Sequence, residues 1–248
     1  MIADFTSLQI AAPLVAALAA GFVRGLAGFG MALLLVPVLG LTVAPQSAVV
    51  TVTILSLFIG LISLRSAVGQ AERSALPIAA FAILATPLGL WLLRLTDPDL
   101  ARMLIALVAL GAFILVLLQK QAGTHAPGKL VTGLTGIASG VLTGFAGMPG
   151  PPIIPYYLRR AVTPQMARAS MMAIFVATST AGCTAAYLMG MMGWREVVLA
   201  ALLFPAILIG NWLGSMAFGR IDPLVWRLFT GTVLGGAAIT AMLKLVAP

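Results

Sequence analysis

The sequence has few charged residues and few side chains with reactive or metal-binding chemistry. Only 8% of its 248 residues are charged and 61% are hydrophobic, whereas a soluble domain carries about 25% charged residues. A chain this poor in charge cannot cover a water-facing surface, which excludes soluble enzymes and disordered chains. One cysteine, Cys183, and one histidine, His125, are present, so neither a disulfide framework nor a Cys/His metal site is predicted. No cofactor is expected.

Acidic residues are also scarce, and none lies in the middle of an apolar segment. The six acids are Asp4, Glu72, Asp97, Asp99, Glu196 and Asp222. Asp97-Pro98 and Asp222-Pro223 have the form of helix starts, with the carboxylate near the positive end of the helix. Because no acid is predicted to be buried, a proton relay through carboxylates and a catalytic acid–base pair are both disfavoured. The chain is not expected to be an enzyme.

Long apolar segments occupy most of the chain. A helix that crosses a bilayer needs ~20 apolar residues, and eight segments stand between short connections, at about 8–41, 46–64, 75–94, 100–118, 130–158, 166–190, 197–218 and 224–246. The prediction is an all-α polytopic protein of the cytoplasmic (inner) membrane, with the lipid bilayer as a partner. The formal net charge of +8 comes from basic residues at segment ends, where cytoplasmic loops explain them better than nucleic-acid binding does.

The two halves of the sequence resemble each other. At a constant offset of 119 residues, Gly21, Gly25, Gly28, Pro45 and Gln46 coincide with Gly140, Gly144, Gly147, Pro164 and Gln165. Gly-x-Trp and Asp-Pro matches follow in the same order later in each half. This order predicts a duplication, with a first repeat over 1–119, a cytoplasmic linker over 120–129 and a second repeat over 130–248.

The first segment of each half is too long to be one straight span. Residues 8–41 would extend ~50 Å as a helix, against a hydrocarbon core of ~30 Å. Glycines at 25, 28 and 30 interrupt the first segment, and Gly-Met-Pro-Gly-Pro-Pro over 147–152 interrupts the second. Because glycine and proline disfavour continuous helix, each segment is predicted to form two half-helices, the second beginning near Met31 or Pro151.

The basic residues distinguish two topologies. If both broken segments cross the membrane, the basic residues divide six to seven between the two sides. If both are re-entrant hairpins, nine lie on one side and four on the other, in accordance with the positive-inside rule. We therefore expect two inverted repeats, each a broken re-entrant helical hairpin plus three transmembrane helices, with both termini outside the cytoplasm. Inverted repeats with broken helices are typical of secondary transporters.

The glycine pattern is similar to that of one known family. The pattern Gly21-x-x-x-Gly25-x-x-Gly28-x-Gly30, its repeat Gly140-x-x-x-Gly144-x-x-Gly147 and the following Tyr156-Tyr157-Leu158 resemble the TauE/SafE family of sulfite and organosulfonate exporters over essentially the whole chain. The resemblance implies a secondary transporter that exports small anions, such as sulfite, sulfonates or related organic acids, by alternating access. The alternative is a non-transporting membrane assembly or chaperone subunit. Expected partners are a small anionic substrate, the bilayer and, as one option, a second copy of the chain.

Arg24 is the first candidate for contacting such an anion. It is the only charged residue predicted well inside an apolar segment, where a charge costs at least ~2.5 kcal/mol. Its planar fork of five donors matches a sulfonate or carboxylate. The alternative role for Arg24 is structural, as a snorkelling or paired arginine that orients the hairpin.

The glycines of the two breaks form the second group of candidates. A half-helix that begins at a break presents unpaired N–H groups and a partial positive charge, which favour an anion. Gly28, Gly30, Gly147 and Gly150 are predicted to face the ligand. The other four glycines of the pattern, namely Gly21, Gly25, Gly140 and Gly144, have helix packing as their alternative role.

Hydroxyls and one amide complete the predicted site. Thr51, Thr53 and Ser56 lie in the second segment, and Thr178, Ser179 and Thr180 in the sixth. Of these, Thr51, Thr178 and Ser179 are predicted to donate hydrogen bonds to the oxygens of the anion. The alternative is that each hydroxyl donates to the backbone carbonyl four residues earlier in its own helix, as hydroxyls in helices often do. Asn211, the sole amide deep in the seventh segment, is equally suited to holding helices together.

Overall fold

A computed structural model describes residues 7–118 and 127–217, and these two ranges are almost entirely α-helical. The helices are α1 (Ser7–Ala27), α2 (Met31–Gly40), α3 (Pro45–Val68), α4 (Ala75–Leu95), α5 (Pro98–Leu118), α6 (Lys129–Ala146), α7 (Gly150–Leu158), α8 (Pro164–Leu188) and α9 (Trp194–Ala217). Within the described ranges no strand occurs. The predicted eighth segment and most of the predicted linker lie outside the described residues.

Six of these helices are long and apolar enough to cross a membrane. They are the stretches Pro45–Ile62, Ala75–Leu95, Pro98–Leu115, Lys129–Ala146, Pro164–Leu188 and Trp194–Ala217. Large apolar side chains such as Leu84, Leu130 and Leu188 are exposed on the outer surface of the bundle, as expected for helices that face lipid. The protein is therefore a multi-pass helical membrane protein, as predicted.

Both long first segments are broken where the glycines predicted a break. Gly28 and Gly30, between α1 and α2, have φ angles of 81° and 97°, and Gly147, between α6 and α7, has a φ of 67°. These left-handed conformations are strained for any residue with a Cβ. The second half-helix begins at the predicted Met31 in the first half, and at Gly150, one residue before the predicted Pro151, in the second.

The two parts of the second broken segment run antiparallel. The Ser139 hydroxyl donates to the carbonyl oxygen of Pro149 at 2.9 Å, and the hydroxyls of Thr132 and Tyr156 are 2.9 Å apart. Contacts that move forward along α7 thus move backward along α6. The chain turns at the break and returns beside α6 towards the end from which it came.

The first helix of each half packs against a helix of the other half. In α1, a Cβ at Gly21 would lie 2.5 Å from the carbonyl oxygen of Ile207, and one at Gly25 2.1 Å from that of Asn211. Because residues further along α1 contact residues further along α9, the two helices are parallel. This close approach makes Gly21 and Gly25 packing positions, the alternative role considered for them.

The same arrangement recurs between α6 and α4. A Cβ at Gly140 would lie 2.2 Å from the carbonyl oxygen of Ala82, and one at Gly144 equally close to that of Thr86. These two helices are also parallel, and Gly140 and Gly144 are packing positions as well. Both helix pairs therefore depend on glycines that occupy matching places in the two halves.

At the centre of the bundle α3 and α8 cross in antiparallel directions. A Cβ at Gly60 would meet Val176, and one at Gly182 would meet Thr53, so contacts move forward on one helix and backward on the other. The short helix α2 packs against α3, and eight of its residues are buried. The broken helices are thus held around a central pair of long helices.

A polar network joins the α3–α4 loop to the end of α7 and the start of α8. Arg160 forms an ion pair with Glu72, whose backbone N–H donates to the Ser170 hydroxyl at 2.8 Å. Arg160 also donates to the Tyr156 hydroxyl at 2.8 Å, and the hydroxyls of Ser74 and Tyr157 are 3.1 Å apart. The loops at 69–74 and 159–163 therefore lie on the same side of the bundle.

Candidate functional site

A small cavity lies where the two helix breaks approach each other. Its volume is about 30 Å³, and its walls include Arg24, Gly30, Ser56, Met148, Gly150 and Phe175. Such a volume holds about two water molecules, so the cavity is small in this conformation. The cavity brings together three predicted site residues, namely Arg24, Gly30 and Gly150, from both halves of the chain.

Arg24 supplies a buried positive charge to this cavity. It lies in the last turn of α1 and only 4% of it is exposed. Its Nη2 atom has no hydrogen-bond partner among the described residues. A buried donor without a partner lowers stability by about 1–3 kcal/mol, and by more when the group is charged. The guanidinium is therefore available to bind an acceptor that enters the cavity.

The start of α2 adds backbone donors beside Arg24. Met31, Ala32 and Leu33, the first turn of α2, line the cavity. The N-terminal N–H groups of a helix have no partners within the helix, and they carry its partial positive charge. The residue before the helix, Gly30, has no side chain with which to cap these groups. This end of α2 can therefore donate to an anion held by Arg24.

Arg168 lies beside this site, and the sequence analysis did not name it as a candidate. It lies inside α8, where its Nη2 donates to the carbonyl oxygen of Gly25 at 3.1 Å. Its side chain passes Gly28 so closely that a Cβ there would be 2.8 Å from its Cγ. Its positive charge also acts on the neighbouring Arg24.

The alignment of the two halves could have identified Arg168 from the sequence. At the offset of 119 that aligns Pro45-Gln46 with Pro164-Gln165, Arg168 coincides with Val49, which is fully buried in α3. A cation that takes the place of a buried valine in the other half is expected to face the protein interior. That comparison, rather than distance from the segment end, identifies the residue.

The remaining predicted glycines occupy different surroundings. Gly28 is buried against Arg168 and is not among the residues that line the cavity. At Gly147 a Cβ would lie 3.3 Å from Val36 and 3.7 Å from the carbonyl oxygen of Val49. Gly147 therefore packs against α2 and α3, whereas Gly150 lines the cavity.

Of the hydroxyls, Ser56 is the one that lines the cavity. Thr178 donates to the carbonyl oxygens of Ile174 and Phe175, at 3.0 and 3.1 Å, which is the backbone bonding considered as its alternative. Thr51 is fully buried, and within the described ranges its Oγ1 has no hydrogen-bond partner. Ser179 is also buried. Asn211 is half-buried in α9, with its backbone carbonyl against Gly25.

The carboxylates of the described ranges are engaged away from this cavity. Glu72 pairs with Arg160 and Asp99 with Arg102. Glu196 accepts from the Ser47 hydroxyl at 2.8 Å and from the Gly193 N–H at 2.9 Å. Glu196 is buried, which corrects the expectation that every acid is exposed at a segment end, although it does lie in the first turn of α9. No metal-binding group of side chains occurs in the described part of the chain.

The described residues include six long apolar helices, two segments broken at glycines and a buried cationic cavity between the breaks. Together these features define a membrane transporter suited to anions. Known proteins agree with this class. The family "Sulfite exporter TauE/SafE" matches residues 14–241, and the chain belongs to this family. Its members are transporters rather than enzymes. The resemblance found in the glycine pattern is thereby confirmed.

One curated relative is also similar over most of the chain. The chain is 28% identical over 227 residues to the "Probable sulfite/organosulfonate exporter TauE" of Cupriavidus necator, and the match covers 88% of each chain. No solved structure matches the chain.

Proposed function

We propose that the protein exports small anions, such as sulfite, a sulfonate or a related organic acid, from the cytoplasm by alternating access. The observation that carries this proposal is Arg24, a buried guanidinium with an unfilled donor in a cavity between the two helix breaks. The name of the Cupriavidus necator relative, a probable sulfite/organosulfonate exporter, supports the substrate class.

The two repeats, 1–119 and 130–248, are proposed to be inverted relative to each other. The α3–α4 loop and the start of α8 lie on one side of the bundle, so α4 begins on that side and α9 ends there. Because α6 is parallel to α4 and α1 is parallel to α9, α6 begins on that side and α1 on the opposite one. Equivalent helices that begin on opposite sides support inversion, the arrangement that alternating access commonly uses.

The protein is proposed to lie in the inner membrane of the cell. The side of the bundle that carries the α3–α4 loop is proposed to face the cytoplasm. The nine-to-four division of basic residues supports this orientation. Labelling a Ser7→Cys variant in a Cys183→Ala background with a membrane-impermeant maleimide tests it. Labelling from outside the cell is expected, and labelling from the cytoplasmic side alone would reverse the topology.

The alternative is a non-transporting membrane assembly or chaperone subunit. A segment that serves only as an anchor gains nothing from a buried arginine with an unfilled donor, because burying that charge is costly. The cavity between the breaks therefore favours transport. Flux measured with this chain as the only protein separates the two functions.

The test is efflux of labelled sulfite from proteoliposomes that contain the purified protein. Wild type is expected to exceed protein-free liposomes. Arg24→Gln should slow efflux about ten- to a hundredfold, since a hydrogen bond to a charged group contributes ~1.5–3 kcal/mol and each 1.4 kcal/mol is tenfold. Arg24→Lys should recover part of the rate, because it offers a point charge in place of a fork.

Thr143→Val is the matched control. Thr143 stands at the position equivalent to Arg24 in the second half, and its hydroxyl donates to the backbone carbonyl of Ser139 at 2.7 Å. Its removal should leave efflux almost unchanged. If wild type releases sulfite and methanesulfonate no faster than empty liposomes do, the assembly function replaces the transport function.

A further inference from the structure

We propose that Ser56 is a second side chain that binds the anion, and that Phe175, the equivalent residue of the other half, limits the size of the organic group that the anion carries. The proposal rests on the proposed transport function and assigns specificity determinants to the same cavity. It follows from the way in which the two halves of the chain line this cavity.

Equivalent residues of the two halves meet at the cavity. At the offset of 119 residues, Gly30 and Met31 correspond to Pro149 and Gly150, and Ser56 corresponds to Phe175. All six of these residues line the cavity. The first two pairs belong to the helix breaks, whereas Ser56 and Phe175 come from the long helices α3 and α8. The cavity thus lies where the two repeats join, the place at which transporters built from repeats bind their substrates.

The Ser56 hydroxyl is available to a ligand. Other hydroxyls of α3 and α8 donate to a carbonyl of their own helix, as Thr53 does to Val49 at 2.7 Å and Thr178 does to Ile174 at 3.0 Å. Ser56 is buried, and within the described ranges its hydroxyl forms no hydrogen bond. A buried polar group without a partner is rare, and a ligand in the cavity would supply the missing bond.

Arg24 reaches the same face of α3 as Ser56. A Cβ at Gly60 would lie 3.8 Å from the Nη2 atom of Arg24, the atom that has no hydrogen-bond partner among the described residues. Gly60 follows Ser56 by four residues, and residues at this spacing lie one above the other on a helix, ~6 Å apart. The hydroxyl and the guanidinium can therefore donate to different oxygens of one small anion.

Phe175 gives the cavity an apolar side. Its ring is buried in a cluster that includes Ile154 and Met171, and Ile154 also lines the cavity. An anion that carries a small organic group fits these surroundings when its oxygens face Arg24 and Ser56 and its organic group faces Phe175. Because the cavity has a volume of about 30 Å³, the ring is expected to limit the length of that group.

The experiment measures the dissociation constants of sulfite and of methane-, ethane-, propane- and butanesulfonate for the purified protein in detergent at pH 7. Binding is followed by the rise in Tm with ligand concentration. Ser56→Ala should raise every constant about tenfold, the factor that ~1.4 kcal/mol corresponds to, because all these ligands present oxygens to the hydroxyl. Thr53→Val, the matched control, removes a hydroxyl that is bonded within α3 and should keep the wild-type constants.

Phe175→Ala should change the order within the series of sulfonates. Each methylene that enters the space left by the ring should improve binding up to about fourfold, the factor that ~0.8 kcal/mol per buried CH₂ corresponds to. Butanesulfonate should therefore gain relative to methanesulfonate, while the ratio of sulfite to methanesulfonate changes little. Phe58→Ala, the matched control, removes a ring of α3 that is 53% exposed and should keep the wild-type order.

Ser56→Ala protein that binds every ligand as tightly as wild type would overturn the role of the hydroxyl, and an unchanged order of the sulfonates in Phe175→Ala would overturn the size limit. If Phe175→Ala does not yield folded protein, Phe175→Leu takes its place, and a smaller gain for the longer sulfonates is expected. Wild type that binds none of these anions would overturn both roles. Sulfite counterflow in proteoliposomes tests the proposed function separately, since a protein that binds these anions without exchanging them keeps the binding roles and loses the transport function.

Discussion

At the first helix break Arg24, Arg168 and the uncapped start of α2 meet, whereas at the second break the equivalent positions hold Thr143 and Val49. Thr143 donates to its own helix, and Val49 is fully buried among apolar residues. The two breaks share their backbone plan, with a glycine at positive φ before a short helix. They differ in charge, and the positive charge is concentrated at the first.

Their short helices differ in the same sense. α2 begins with Met31, Ala32 and Leu33, each of which has an N–H group, whereas α7 begins with Gly150 followed by Pro151 and Pro152. Proline has no N–H, so the start of α7 offers fewer donors to the cavity. The second break therefore gives the cavity a more apolar wall, and the first break gives it more hydrogen-bond donors.

The halves agree, by contrast, where helices pack. Gly21 and Gly25 of α1 have the same role as Gly140 and Gly144 of α6, and each pair allows close contact with a helix of the other half. Matching residues are thus found at helix contacts, and differing residues at the cavity. Helix packing is therefore alike in the two halves of the chain, while the charges at the two breaks differ.

The largest expected effect tests the agreement in packing. Gly25→Val and Gly144→Val should both abolish recovery of folded protein, because a Cβ would lie 2.1 Å from the Asn211 carbonyl oxygen in one case and 2.2 Å from that of Thr86 in the other. Overpacking of this kind costs typically ~1–3 kcal/mol, and more where backbone must move. Size-exclusion chromatography of fluorescent fusions in detergent measures the loss.

Gly111→Val is the control, since a Cβ at Gly111 has no atom within 4 Å among the described residues. It should give the wild-type elution profile. If only one of the two packing variants loses its folded peak, the helix pairs α1–α9 and α4–α6 are not equivalent.

A smaller effect tests the difference between the breaks. Gly30→Ala should lower stability by ~1–2 kcal/mol, the cost of a left-handed conformation for a residue with a Cβ, since Gly30 has a φ of 97°. The equivalent Pro149 has a φ of −67°, which alanine adopts freely. Pro149→Ala should therefore cost only ~0.4–1 kcal/mol, through the greater freedom of the unfolded chain.

Thermal unfolding in detergent, followed by intrinsic tryptophan fluorescence, measures both variants. The expected result is a clearly larger drop in Tm for Gly30→Ala. Equal drops in Tm would mean that the two breaks are equally strained, and the contrast between them would then be limited to charge.

The smallest effect concerns the C-terminal end of α7. Side chains there form an ion pair and hydrogen bonds with the α3–α4 loop. A double-mutant cycle with Glu72→Gln and Arg160→Gln should give a coupling of ~1 kcal/mol, the upper range for partly exposed ion pairs. The side chains of this pair are 18% and 16% exposed. The Asp99–Arg102 pair is more exposed and lies within one helix, so its cycle should give only ~0.3–0.5 kcal/mol.

The coupling energies come from the free energies of unfolding of the single and double variants. A Glu72–Arg160 coupling no larger than that of Asp99–Arg102 would show that the network does not hold the hairpin.

Much of the fold could be predicted from the sequence because the breaks depend on local chemistry. The glycines at 28, 30 and 147 mark positions of positive φ, and the start of α2 at Met31 follows from them. Arg24 was predictable for a similar reason, since a charge deep in an apolar segment is costly wherever the segment lies.

The packing of the helices and the second arginine were not predictable in the same way. The contact between Gly25 and Asn211 joins residues far apart in sequence, and no local preference specifies it. Arg168 lies near the start of a segment, where arginines commonly face water, and the path of α8 past Gly28 is what places it beside the first break. The Thr178 hydroxyl donates its hydrogen bond to the backbone of its own helix. The sequence alone does not determine whether such a hydroxyl bonds its own helix or a ligand.

The parallel pairing of α1 with α9 also has a consequence for how the protein is made. Gly25 and Asn211 are separated by 186 residues, so the glycine face of α1 leaves the ribosome long before the helix that covers it. α6, in contrast, emerges after its partner α4 and can dock at once. The first break must therefore wait, partly assembled, until α9 is inserted, which makes the cavity beside Arg24 one of the last parts of the protein to form.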